Sequence, residues 1–167
     1  MKNKKTVVSA IVPIYCEEKT LKGVVGALLA SPIIDEVICV DDASEDGSLK
    51  VLKKFSKRIL LITHKKNRGK GAALVSGIRK AKGEVVAFFD ADLLSLRGKH
   101  IETLLAPILK GKSRSVLGHG ELKLKAFTTW TGERAYYKKD LMPHLKEMAA
   151  SRFGVEMQLN HFFKKSI

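Results

Sequence analysis

The chain has 167 residues, 45% of them hydrophobic, which is one domain's worth with a real core and excludes a disordered protein. Its 31 Lys and Arg against 17 Asp and Glu give a formal charge of +14, pointing to an anionic partner: nucleic acid, a phosphorylated metabolite or a lipid headgroup. Two cysteines, Cys16 and Cys39, without CxxC or His-rich spacing argue against a disulfide framework or zinc site, and no apolar run approaches the ~18 residues of a membrane span.

Taken in order, the first apolar run is 7–14, too short and too polar at its end for a signal peptide. It reads as a strand, and 37–40, 59–62 and 85–89 repeat its character: short, β-branched or aromatic, and continuous enough for strands buried on both faces. Helical patterns fill the intervals. Leu21, Val24, Val25, Leu28 and Leu29 mark one apolar face, and Leu49, Leu52 and Phe55 a second, with Ser44 as the expected cap. Ala72, Val75 and Ile78 follow Gly69 in a third, and 99–109 is a fourth with Pro107 near its end. A fifth strand is expected at 115–117, a loop at 118–131, a short strand at 135–137, and helices at 141–149 and 155–163. Alternating strands and helices predict an α/β fold with a mostly parallel central sheet flanked by helices. No repeat or linker divides the chain, which reads as a single unit over 1–167.

The charge is unevenly spread. No Asp or Glu occurs between Asp46 and Glu84, an interval with twelve Lys or Arg, and residues 110–167 carry twelve basic side chains against five acidic ones. The basic run 50–58 is most simply a solvated helix face.

Ligands of open parallel sheets bind beyond the carboxyl ends of the strands, so the residues after each apolar run carry the functional reading. Strand one ends in Pro13-Ile14-Tyr15-Cys16-Glu17-Glu18, strand two in Asp41-Asp42, and strand four in Asp90-Ala91-Asp92. Asp90 and Asp92, two apart, would point to one side if the strand continued, and could share a hard divalent cation. As solvated loop aspartates they would mean nothing, but they end a buried run, Val85-Val86-Ala87-Phe88-Phe89. Asp41 and Asp42 could accept hydrogen bonds from a base or ribose, or cap the next helix. Arg68-Gly69-Lys70-Gly71 places two cations at a helix start, where free backbone N–H groups and the dipole favour phosphate. It is not a Walker A loop, since Gly71 rather than Ser or Thr follows Lys70, and no GxGxxG turn follows strand one.

Four segments together, Ala10-Ile11-Val12-Pro13-Ile14-Tyr15-Cys16-Glu17-Glu18, Val40-Asp41-Asp42-Ala43-Ser44-Glu45-Asp46-Gly47, Asn67-Arg68-Gly69-Lys70-Gly71-Ala72-Ala73 and Phe89-Asp90-Ala91-Asp92-Leu93, resemble in order and spacing the family 2 glycosyltransferases of GT-A fold. The dolichyl-phosphate mannose synthase-like branch is the nearest look, and Thr131-Gly132-Glu133-Arg134-Ala135 and Phe153-Gly154-Val155-Glu156 resemble its acceptor-side region. The resemblance implies a nucleotide-sugar half at 6–118 and a short acceptor-side half at 119–167. It implies that Pro13, Tyr15 and Glu17 line the nucleotide pocket, that Asp41 or Asp42 contacts the base, and that Lys70, with Arg68, approaches the phosphates. Asp90 would face the ribose or metal, and Asp92 would hold Mg²⁺ or Mn²⁺ on the diphosphate. The chain departs from the family pattern at Cys16, where Asn is usual, and at Leu94, where Gln is common.

Such a reaction moves a sugar from a UDP- or GDP-sugar to an acceptor, which the resemblance suggests is a polyprenyl phosphate at a membrane surface; the expected location is cytoplasmic, with peripheral contact at the inner membrane face. Glu156 is the candidate for base or acceptor positioning, though the dipole favours a helix-start glutamate in any case. Arg134 is a candidate for an acceptor or donor phosphate, with a surface salt bridge as its alternative. His161 and Trp130 read as packing residues rather than ligands. A nucleotidyltransferase would also use an α/β sheet and a carboxylate-bound metal, but its loop follows strand one directly, where this chain has Pro13-Ile14-Tyr15. A nucleic-acid-binding protein would explain the charge but not four polar strand ends in register.

Overall fold

A computed structural model describes residues 5–118 and 132–163; the expected loop at 118–131, with Trp130 and Thr131, lies almost wholly outside them. Six strands form one sheet in the order β3-β2-β1-β4-β6-β5. Strands β1 (Val8–Ile14), β2 (Glu36–Asp41), β3 (Leu60–Thr63) and β4 (Val85–Phe88) are mutually parallel, with β1 central. The helices between them, α1 (Leu21–Ala30), α2 (Ser48–Lys53) and α3 (Lys70–Lys80), are the crossovers that parallel pairing requires. After β4 the chain runs through α4 (Gly98–Leu109) to β5 (Ser115–Leu117), then β6 (Arg134–Tyr137).

The strand sequences explain the layering. Alternate residues of β1 divide between two cores: Val8, Ala10, Val12 and Ile14 pack towards α1 and α4, while Ile11 meets Ala73, Val75 and Ile78 of α3 on the other face. That second face is completed by short helices at the carboxy-terminal side: α5 (Lys138–Leu141), a 3-10 turn at Met142–His144, α6 (Leu145–Ala150) and α7 (Val155–Phe162). Close approach of α3 to α6 needs a glycine, because a Cβ at Gly71 would come within 2.0 Å of the Met148 carbonyl.

β6 lies between β4 and β5, antiparallel to both, so the mostly parallel sheet carries an antiparallel edge. Three expectations are corrected. β3 is not buried on both faces, being the sheet edge, with Leu60 38% exposed. The helix expected at 141–149 is split, because Pro143 occupies the start of a 3-10 turn that separates α5 from α6. Ser44 does not cap α2, which begins after Gly47; its hydroxyl accepts the Cys16 amide at 3.0 Å instead.

Candidate active site

The carboxyl ends of β1, β2 and β4 are sewn together. Besides the Cys16–Ser44 bond, the Glu17 amide donates to Ser48 Oγ at 2.9 Å and the Asp42 amide to the Ile14 carbonyl at 2.8 Å. Thr20 Oγ1 donates to the Ala91 carbonyl at 2.7 Å, tying the start of α1 to the turn after β4. Cys16 and Ala43 take left-handed backbone angles, φ 57° and 63°, which cost side-chain-bearing residues energy and recur at functional turns.

Between these exits lies a pocket of about 220 Å³. Pro13, Tyr15 and Glu17 from β1, Asp42 from β2, Lys70 from α3, and Asp90 and Asp92 from the β4 turn line it, so seven of the eleven sequence-predicted residues meet there. β4 stops at Phe88, so the two aspartates sit on the following turn rather than on strand, yet both reach the same pocket. Asn67 and Phe153, each the first residue of a segment that carries the family resemblance, also line it, and Phe153 is 71% exposed.

The two acidic pairs have opposite environments. Asp42, 3% exposed, accepts the amides of Arg68 at 3.0 Å and Gly69 at 2.6 Å, and its Oδ1 lies 2.5 Å from His64 Nδ1. His64 Nε2 is 2.8 Å from Ser76 Oγ, so both ring nitrogens are engaged. Asp41 is buried as well, its carboxylate accepting the Ser44 amide at 3.3 Å. Asp90 is half-buried and Asp92 exposed, both turned to the pocket.

The helix start at Lys70 also differs from expectation. Three of the amides there are already engaged: Arg68 and Gly69 donate to Asp42, and Gly71 donates to the Arg152 carbonyl at 2.8 Å. Gly69, at φ 88°, is the residue that lets the loop turn into α3 here. The Lys70 side chain reaches the pocket from the helix start, its Nζ 2.6 Å from Asp90 Oδ1 and 2.5 Å from Glu156 Oε1. Glu156 thus belongs to the site through Lys70, although it does not line the pocket. Arg68 points to solvent, its backbone rather than its side chain holding the loop.

Arg134 is not on the surface, which removes the surface salt bridge as an account of it. It is 1% exposed at the start of β6, and Nη1 donates to Asn160 Oδ1 at 2.6 Å and to the Tyr136 hydroxyl at 3.4 Å, joining β6 to α7. Its neighbour Glu133 went unnoticed individually in the sequence. Burial, then the charges of Asp90 and Asp92, hold its carboxyl above the ordinary value, against the pull of its own backbone amide and of Lys70. Gly132 lies against the same carboxylates, since a Cβ there would come within 1.9 Å of Asp90 Oδ2.

Electrostatics converge on the β4 turn. Burial, followed by the charge of Asp92, raises Glu17, with Asp46 and Asp90 adding to it against the Thr20 hydrogen bond. Burial pushes the Lys70 ammonium down, but Asp90 and Glu156 outweigh it and hold the group above its ordinary value, so it stays charged. Among the described residues, no three His, Cys, Asp or Glu side chains are grouped to hold a metal alone. Two converging carboxylates nevertheless fit a hard cation that keeps most of its oxygen ligands from water and substrate phosphates, as Mg²⁺ does.

The family model described as "Glycosyl transferase family 2" matches residues 9–164. The UDP-N-acetylglucosamine–dolichyl-phosphate N-acetylglucosaminyltransferase of Methanococcus voltae is 30% identical over 130 residues, 65% of this chain and 49% of that protein. The dolichyl-phosphate beta-glucosyltransferase of Homo sapiens is 39% identical over 98 residues, 50% of this chain and 30% of that one. The chain therefore spans about half, or less, of the length of these relatives. Among solved structures, glucosyl-3-phosphoglycerate synthase from Mycobacterium tuberculosis with Mn²⁺, UDP and phosphoglyceric acid superposes at TM-score 0.70 with 20% identity, covering 81% of this chain and 57% of that one. S. aureus TarS 1-349 in complex with UDP gives 0.70 at 21%, covering 91% and 54%. No helix of the described residues is long and apolar enough to cross a membrane.

Proposed function

Since the chain belongs to glycosyl transferase family 2, we propose that it transfers a sugar from a nucleoside-diphosphate sugar to a polyprenyl phosphate, residues 6–118 carrying the donor half and 119–167 the acceptor side. The observation that carries this reading is the convergence of Asp90, Asp92 and Lys70 on one pocket at the carboxyl edge of a parallel sheet. Relatives named for dolichyl-phosphate acceptors support the acceptor class, and UDP-bound neighbours of the same fold support the donor class.

In this reading Pro13 and Tyr15 form the wall against which the base lies, and Asp41 and Asp42 hold the β2 exit in place beside it. Asp90 and Asp92 would hold Mg²⁺ or Mn²⁺, which neutralises charge on the departing diphosphate. Lys70 supplies a second positive charge to the same phosphates. A phosphate acceptor is already a nucleophile and needs no base, so Glu156 acts in the site through its ion pair with Lys70 rather than as a base. The exposed Phe153 at the pocket edge, with Met157 at 58% exposure in α7 just after it, offers an apolar approach for a lipid chain, and the chain's net positive charge suits contact with an anionic membrane.

The test is a titration of UDP, GDP and their sugars with and without Mn²⁺, repeated on Asp92→Ala. The expected result is metal-dependent binding that the substitution abolishes. Tight, salt-sensitive binding to DNA or RNA with no nucleotide binding would overturn the reading.

A further inference from the structure

The bridge Asp90–Lys70–Glu156 joins three elements: the β4 turn, the first residue of α3 and the first turn of α7. Its chemistry is unusual for a site that must accept a dianion. Glu17, Asp90 and Asp92 face the pocket, and Lys70 is the one cation among the described residues lining it. Three backbone donors around this helix start, those of Arg68, Gly69 and Gly71, are already taken by Asp42 and the Arg152 carbonyl. The charge that α3 can bring to a diphosphate sits on the flexible four-carbon stem of Lys70, and two carboxylate partners hold it back.

We propose, resting on the donor reading above, that Lys70 is a counterion that changes partners: it bridges Asp90 and Glu156 in the empty site and passes to the donor diphosphate when nucleotide enters. Two consequences follow from this exchange. Asp90 is released from its ammonium only when phosphates arrive, so its oxygen becomes open to a cation at the moment one is needed. Glu156 is released with it, and α7 loses its tie to the β4 turn, so donor loading loosens the side of the site on which the acceptor must enter. Donor affinity is then set by competition between the phosphates and two resident carboxylates, and weakening one of them strengthens nucleotide binding.

A double-mutant cycle on the whole chain separates this from simple repulsion. Affinity for UDP and GDP with Mg²⁺ is measured for the wild type, Glu156→Gln, Lys70→Met and the double variant, with circular dichroism confirming the fold of each. The expected result is that Glu156→Gln tightens binding of the preferred nucleotide by about three- to tenfold, a partly exposed ion pair's worth, that Lys70→Met weakens it, and that the Glu156→Gln gain vanishes in the Lys70→Met background. An equal gain in both backgrounds means through-space charge alone and overturns the proposal, as does a loss on Glu156→Gln. As a second measurement, the Lys70 ammonium resonance of ¹⁵N-lysine-labelled protein, assigned by its absence in Lys70→Arg, is expected to shift on nucleotide binding; an unmoved resonance in the loaded protein overturns the exchange. Binding of neither UDP nor GDP to the wild type would overturn the donor reading and this inference together, whereas binding with an additive cycle overturns the inference alone.

Discussion

The exits of β2 and β4 carry the same sequence signature, an apolar run followed by two aspartates, yet they do different work. At β2 both carboxylates are buried, and Asp42, though it borders the pocket, is already occupied: it holds the amides of Arg68 and Gly69 and the ring of His64, and so fixes the loop that launches α3. At β4 the carboxylates face a pocket, with Lys70 the partner of Asp90. An acidic pair at a strand end therefore announces a site, but only its hydrogen-bond account says whether it serves the ligand or the scaffold. Here one pair builds the wall and the other meets what enters.

The sharpest way to break this contrast is to remove one carboxylate from each exit. Asp92→Ala is expected to lower sugar transfer about 10²- to 10³-fold while changing stability by less than ~0.5 kcal/mol, since the side chain is exposed. Transfer assays beside thermal melts check it; a large loss of stability would make β4 a second scaffold. Asp42→Ala is expected to cost about 3 kcal/mol in urea unfolding, because it strands two amides and a buried imidazole. A near-neutral result would return Asp42 to the ligand.

Two glycines repeat the contrast at smaller scale. A methyl at Gly71 meets the Met148 backbone carbonyl, which cannot yield without moving α6, whereas one at Gly132 meets the Asp90 carboxylate, which can rotate. Gly71→Ala should therefore cost about 2 kcal/mol of stability, and Gly132→Ala under ~1 kcal/mol with a clear loss of Mn²⁺ and nucleotide affinity. Calorimetry and binding titrations on the pair would show whether the lesions sort in this way. The mildest test uses the thiols. Cys39, inside β2, is buried and its thiol is pushed up to about 12, while Cys16 is exposed at the end of β1. Alkylation of the native chain should modify Cys16 and spare Cys39 until denaturant is added; early labelling of Cys39 would mean that β2 opens and that its exit is no rigid wall.

Much of this was legible in the sequence because the signals were local. Continuous β-branched runs specify strands, and the polar residues just past them specify the rim, which is why Lys70, Asp90 and Asp92 stand out by position, while Pro13, Tyr15 and Glu17 are implied by the family resemblance of the first strand's end. What stayed hidden depended on partners far along the chain. That β6 would pair antiparallel with β4 is decided by competition among edges, not by Arg134–Tyr137 itself. That the amides before α3 would be spent on Asp42 and Arg152 requires knowing where residues 26 and more positions away come to rest. Glu133 carried no periodicity of its own, and its place became visible only once Gly132 was found against Asp90.

The insertion of β6 between β4 and β5 also has a temporal side. Residues 85–88 pair with β1 on one edge, but their other edge waits for residues 134–137, about fifty positions later. As a nascent chain emerges, the first four strands can assemble with β4 as a bare apolar edge, the kind of template on which chains aggregate. The closing strand is thus the slow, long-range step of folding, and versions truncated before residue 132 should precipitate even though they retain every pocket-lining residue except Phe153.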